Sequence, residues 1–346
     1  MAISPPVPSD TRSRLADWIE VECLVAPEGV PASRLRRLWT GLEESAHQPE
    51  RDADAEELLE TEILEEEPLA WETQVAEEME WRQQVLGRLY PFRLETRLTN
   101  WKLTRAPDDS DDTVCVGRSF YLFCLLISAL RDSRIEDHPD RGLIKQAERD
   151  FEQVATTAGA GTLGGDAIAF GWPRGSRTSF RAALDEVESK LGWTPLHENP
   201  LWSTGQEKDA GIDVIAWRDF LDRRPGRVLL LGQAASGRGW EQKGAEPSVF
   251  LNWFTQFRPK NYVPALFTPF PQHHDCGGRT DHNFEDVARA EAWKREQSLG
   301  LVVDRLRLVE MAAAHLARSQ SEDTPPTVQR LDDWVRRACE AAGGTA

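Results

Sequence analysis

The sequence lacks most features that would take it out of an ordinary cytoplasmic setting. No apolar run approaches the eighteen or more residues of a membrane-spanning helix. The longest, FYLFCLLISAL (120–130), suits a buried helix. The first residues, MAISPPVPSDTRSR, contain no apolar signal region, so secretion is not expected. Five cysteines (23, 115, 124, 276, 339) are odd in number and include no CxxC pair. That argues against a disulfide framework and for a reducing compartment, with Cys115 and Cys124 expected as buried thiols beside apolar runs. There is no GxxxxGK[ST] phosphate loop, no GxSxG elbow, no HExxH pair and no repeat at a fixed period. GAGTLG (159–164) matches the dinucleotide pattern GxGxxG only formally, because a helix rather than a strand precedes it. A turn is expected there. His273, His274, Cys276 and His282 crowd into ten residues, but their spacing fits no zinc site, and a polar loop is expected.

What remains is a chain of 346 residues, 40% hydrophobic, with thirteen tryptophans. This is enough to build a packed core in two domains, or in one domain with an extension. The formal charge of −17 is unevenly spread. Residues 43–80 hold sixteen Asp or Glu against one Arg, and the rest of the chain is nearly neutral. A nucleic-acid ligand is therefore not excluded for the body. The acidic segment reads as a solvated linker or exposed helix, or as an element that docks on a partner or shields a basic groove.

Residues 1–140 read as helical throughout, with the segment AEEMEWRQQVLGRLYPFRLE closing as a helix near YPF. From 141 to 346 the texture changes to helices alternating with short apolar strands, as in an α/β core. Candidate helices lie at QAERDFEQVATTA, TSFRAALDEVESKLGW and 239–257. Candidate strands are GIDVIAW (211–217), RVLLLGQA (227–234) and YVPALFTPF.

Two of those strands carry the most suggestive chemistry. Asp213 opens the first and Gln233 closes the second, and Lys243 follows ten residues later. Neighbouring strand ends lie about 5 Å apart, so side chains there converge rigidly. Hydrolysis of a phosphodiester needs hard oxygen ligands for a divalent cation and a positive group near the scissile phosphate.

The stretch GIDVIAW…RVLLLGQAASG resembles the D-X(n)-(D/E)XK arrangement of the PD-(D/E)XK, or restriction-endonuclease-like, nuclease superfamily. The resemblance covers about residues 146–310. It implies a mixed central sheet flanked by helices, here preceded by an all-helical N-terminal region. It implies Mg²⁺ or Mn²⁺ held by Asp213, Gln233, the Ala234 backbone and a helix glutamate. Glu152 is favoured for that last ligand over Glu186. The catalytic set is then Asp213, Gln233, Glu152 and Lys243. The sequence departs from the family in two places: Gln233 stands where Glu is usual, and Ala235 where Lys is usual. Lys243 is read as the relocated lysine. Arg174, Arg177 and Arg238 are the expected nucleic-acid contacts. The activity implied is metal-dependent DNA cleavage in the cytoplasm by a defence or restriction effector, with no membrane, protein partners and a possible homo-oligomer. The alternative is an inactive DNA-binding or scaffolding subunit of the same fold.

Overall fold

The computed structural model describes residues 12–37, 57–97, 100–131, 141–171, 179–197, 211–222, 224, 226–237, 239–244, 247–255, 261–272, 284–319 and 326–341. Among these, the helices are α1 (Arg12–Val25), α2 (Glu57–Leu86), α3 (Asp112–Arg131), α4 (Arg141–Leu163), α5 (Phe180–Leu191), α6 (Pro247–Leu251), α7 (Phe284–Leu299), α8 (Arg305–Ser319) and α9 (Pro326–Ala341). The strands are β1 (Val30–Pro31), β2 (Phe92–Arg97), β3 (Asn100–Arg105), β4 (Asp166–Ala169), β5 (Val214–Asp219), β6 (Arg227–Ala234), β7 (Val263–Phe267) and β8 (Leu301–Val303). The protein is thus a mixed α/β chain with two sheets.

The larger sheet has strand order β4-β5-β6-β7-β8. Its first three strands are antiparallel neighbours, and β7 and β8 then add in parallel to β6. Val214, Ile215, Ala216 and Trp217 are all buried in sequence, as expected for a strand covered on both faces. Val214, Ala216 and Leu230 face a core shared with α4 and α8, whereas Ile215, Trp217, Leu229 and Leu231 face α5 and α6. Each face alternates cleanly because side chains on a strand point to opposite sides in turn.

The amphipathic helix expected at QAERDFEQVATTA is longer than its sequence suggests. It runs on through GAGTLG to Leu163, and this corrects the turn expected there. Close packing supplies the reason: a Cβ at Gly161 would run into the Met311 carbonyl of α8. Gly161 thus lets α4 and α8 touch backbone to backbone, while Gly159 makes room for Val214 and Ala216 of the sheet.

Three other expectations are corrected. The N-terminal region is not all helical. After α2 ends at Leu86, Phe92–Arg97 and Asn100–Arg105 pair antiparallel, and β1 adds to β3. Phe92, Trp101 and Leu103 are buried and fix this small sheet onto the core. The helix expected over 239–257 is instead a 3₁₀ turn at Trp240–Gln242 followed by the five-residue α6. Cys115 is exposed, and its Sγ donates to the Asp109 carbonyl at 3.2 Å.

The C-terminal part of the acidic segment is not a solvated linker. Within α2, Glu72 and Glu78 are buried. Glu72 takes a bidentate pair from Arg36 at 2.9 and 2.8 Å, and Glu78 accepts from Arg82 Nε at 2.8 Å. Residues 43–56 lie outside the described residues. The helix segment Asp112–Leu130 is long and apolar enough to cross a membrane, and 67% of that window is buried against other elements.

Candidate functional site

The site is built at the end of the sheet where β5 begins and β6 finishes. The register pairs Val214 with Gly232, and the Asp213 N–H donates to the Gly232 carbonyl at 2.8 Å. Asp213 therefore stands beside Gln233, one residue before β5. Its Oδ2 accepts from the Ala234 N–H at 2.8 Å, which fixes the carboxylate across the strand pair. The Asp213 carbonyl accepts from the Phe170 N–H at 2.7 Å, tying in the chain that leaves β4.

Glu152 reaches the same place from α4. Phe151, Val154, Ala155 and Ala158 bury one face of that helix against the sheet. Glu152 lies next to Phe151 on this helix, and its Oε1 accepts from the Gly171 N–H at 2.8 Å. Gly171 measures how closely the two carboxylates approach. A Cβ at this position would stand 2.5 Å from Asp213 Oδ1 and 2.7 Å from Glu152 Oε2. Two carboxylate oxygens thus lie within 2.7 Å of one point in space. That point is bonded distance from Gly171 Cα and is no cation position, but it shows that the two oxygens lie near enough to each other for one divalent cation beside Gly171 to reach both.

Gln233 completes the set by its chemistry. Its Oε1 is buried and has no hydrogen-bond partner among the described residues. A buried amide oxygen left unpaired costs about 1–3 kcal/mol, so its retention calls for a reason. A hard cation supplies one: an amide oxygen is a neutral ligand of the kind Mg²⁺ and Ca²⁺ accept, and the Ala234 backbone carbonyl is another. The residues present therefore fit a divalent metal, with the two negative charges of Glu152 and Asp213.

Lys243 is not joined to this group. It follows the 3₁₀ turn, its N–H donates to the Trp240 carbonyl at 3.0 Å, and its side chain is exposed. Among the described residues it makes no hydrogen bond or ion pair with Asp213 or Glu152. The turn is anchored by Trp240, which packs with Ala235 and Leu266 and stands 5.6 Å from the Arg295 guanidinium. Glu186 stays half-buried on α5. Arg174, Arg177 and Arg238 lie outside the described residues, as does the His/Cys-rich stretch 273–283. No group of three or more His, Cys, Asp or Glu able to hold a metal occurs among the described residues, so the amide and the backbone must complete any coordination.

Sequence reasoning singled out Glu152, Asp213 and Gln233, which the structure brings to one sheet end, but not Gly171. Its only signal was a glycine following the apolar AIAF run. If the pair holds a divalent metal, Gly171→Ala is expected to weaken its binding at least about tenfold, because the added methyl group displaces the two carboxylates. Mn²⁺ titration followed by electron paramagnetic resonance checks this, with circular dichroism to establish that the fold is kept.

Comparisons with protein-family models, with curated proteins and with solved structures found no match to this chain.

Proposed function

We propose that this protein is a metal-dependent nuclease of PD-(D/E)XK type, hydrolysing phosphodiester bonds in DNA. The observation that carries the reading is the convergence of Glu152 and Asp213 on Gly171, beside the unpartnered Gln233 amide oxygen. The order of elements supports it. A helix bearing Glu152 precedes three antiparallel strands, and a crossover then leads to a strand parallel to the third. The superfamily resemblance implies that order, with acidic ligands at the second and third strands.

In this reading Asp213 and Glu152 provide charge, Gln233 Oε1 and the Ala234 carbonyl provide neutral oxygens, and the sheet holds all four rigid. A bound Mg²⁺ or Mn²⁺ would supply Lewis acidity toward the phosphate and lower the pKa of an attacking water. The Ala234 N–H and Gly171 N–H hold the two carboxylates in place, so little reorganisation is needed on loading. Lys243, on the exposed turn after β6, is assigned to the phosphate once DNA is in place.

A second reading, an inactive DNA-binding or scaffolding subunit, is favoured by one observation: among the described residues two carboxylates meet at the site, with an amide where the family has a third. Incubation of the purified chain with supercoiled plasmid and Mg²⁺ or Mn²⁺, against a chelator control, decides between them. Nicked or linear product that depends on the metal is expected. Plasmid retained on the protein but left intact with either ion favours the scaffold. A protein that neither binds nor cuts removes both readings.

A further inference from the structure

The first half of α4 runs past the Glu152–Asp213 pair and out beyond the end of the sheet. From Glu152 to Leu163 the helix rises about 16 Å. The chain that returns along β4, from Asp166 to Gly171, spans about the same distance. Glu152 and Gly171 are therefore level, as their 2.8 Å hydrogen bond shows. Residues 141–151 of α4 then project roughly 16 Å past the point where β4 finishes and β5 begins. One side of this projection is packed. Ala147, Asp150 and Phe151 are buried, Arg337 of α9 donates to Gln146 Oε1 at 3.3 Å, and Arg330 lies 3.7 Å from Asp150 Oδ1.

The other side is open and basic. Lys145 and Arg149 are exposed, and neither makes a hydrogen bond or ion pair with a described residue. At about 100° per residue, Lys145, Arg149 and Glu152 fall within about 60° of one another around the helix, whereas Ala147 and Phe151 stand about 160° from Arg149. Glu148 lies about 100° round from Arg149, nearer to Glu152. In the sequence, Arg141, Lys145 and Arg149 recur every four residues. Like charges four apart on a helix repel, so the free protein gains nothing from this spacing. The turn that carries Lys243 sits on the opposite face of the sheet. Its Trp240 packs with Leu266, whose neighbours Ala265 and Phe267 point into the core shared with α4. A polyanionic strand crossing the sheet end from Lys145 and Arg149 toward that turn passes over Glu152, Asp213 and Gln233.

On the basis of the nuclease reading, we propose that the Lys145–Arg149 stripe of α4 binds the phosphate backbone of the DNA strand to be cut. Arg149, less than one turn before Glu152, takes the phosphate next to the scissile one. Lys145, about 6 Å further along the helix, takes the following phosphate, a step comparable to the separation of successive phosphates on one strand. Such contacts fix the position of the strand and read no bases, so binding through them is independent of sequence.

Fluorescence anisotropy of the full chain with a labelled DNA duplex, in chelator so that nothing is cut and over a range of salt, tests this. The double variant Lys145→Gln/Arg149→Gln is expected to bind at least about tenfold more weakly and to lower the salt slope by about 2. Arg97→Gln/Lys102→Gln removes the same charge from exposed positions of β2 and β3 and should bind as the natural chain does. Neither double variant should lose Mn²⁺ affinity or thermal stability, which separates a lost DNA contact from damage to the carboxylate pair or the fold. The stripe is overturned if the two double variants bind DNA alike. Metal-dependent plasmid cleavage by the natural chain would in that case leave the nuclease reading standing without it. A natural chain that binds duplex through the stripe and cuts nothing keeps the stripe and favours the scaffolding reading, and one that binds no DNA overturns both.

Discussion

Replacing Asp213 by asparagine is expected to lower metal-dependent DNA cleavage at least about a thousandfold, equivalent to about 4 kcal/mol of transition-state stabilisation. The substitution keeps the side chain's shape and leaves an oxygen that can still accept from the Ala234 N–H. It removes one of the two negative charges that the described residues bring to the site. Where a third carboxylate would cushion such a loss, Gln233 supplies none, so in the proposed nuclease reading Asp213 and Glu152 are the two described residues whose charge would attract the ion. Glu152→Gln should therefore act in the same direction, and the double variant should bind no Mn²⁺ measurably. The reverse change is equally informative. Gln233→Glu adds a charge beside the pair and is expected to tighten Mn²⁺ binding about tenfold or more. Plasmid cleavage rates and Mn²⁺ titrations read all four variants. Full activity in Asp213→Asn would sink the metal assignment.

Replacing Arg82 by methionine is expected to cost about 3–5 kcal/mol and to lower the thermal midpoint by about 10 °C. Arg82 is fully buried and joins three carboxylates. Its Nη1 donates to Asp17 at 2.7 Å and Glu20 at 2.8 Å, its Nε donates to Glu78 at 2.8 Å, and its Nη2 donates to the Ser13 carbonyl at 3.0 Å. Arg305, the first residue of α8, adds a bidentate pair to Asp17 at 2.8 and 2.7 Å. Tyr90 and Tyr121 donate their hydroxyls to Glu20 at 2.7 and 2.8 Å. Methionine fits the volume but strands Glu20 and Glu78 in the core without their cation. Breaking such a group costs far more than its net contribution, because the remaining charges stay buried. Adding Glu20→Gln and Glu78→Gln to Arg82→Met should recover a large part of the loss.

The pH dependence follows from the same groups. Burial works against ionised Asp17, but the charges of Arg305 and then Arg82 outweigh it and hold its carboxyl below the ordinary range. Its contribution is therefore fully present above about pH 4 and is lost as the pH falls through the lowered value. Burial raises Glu20, the nearby Asp17 charge adds to the rise, and Arg82 only partly offsets them. Glu20 thus opposes stability as the pH climbs above its ordinary value. Without Arg82 both carboxyls favour their protonated forms more strongly. Arg82→Met should then be more destabilising at pH 7 than at pH 4, and urea unfolding at the two values checks the sign.

Much of the α/β half could be read along the chain. The strand expected at 227–234 has those bounds, and YVPALFTPF contains β7, because a continuous apolar run between turn residues has few alternatives once it must be buried. The pairing of Glu152 with Asp213 was readable only as a preference over Glu186, since sequence spacing does not say which helix faces which strand end. Local pattern also misled. PFRLE and NWKLTR look like a helix tail and a polar link, yet they pair with each other and with β1, and their apolar residues find a core that no local window contains.

By itself, then, the sequence determined the alternation of helices and strands, the buried character of β5 and β6, and the residue types able to hold a cation at their ends. Those properties depend on periodicity and side-chain chemistry, which are local. Tertiary structure alone decided that Gly171 brings two carboxylates to one point, that α4 continues through GAGTLG, and that Asp17 and Arg305 meet across 288 residues. Each of these depends on close approach between segments distant in the chain, and the energy of such contacts exists only once the core has been packed.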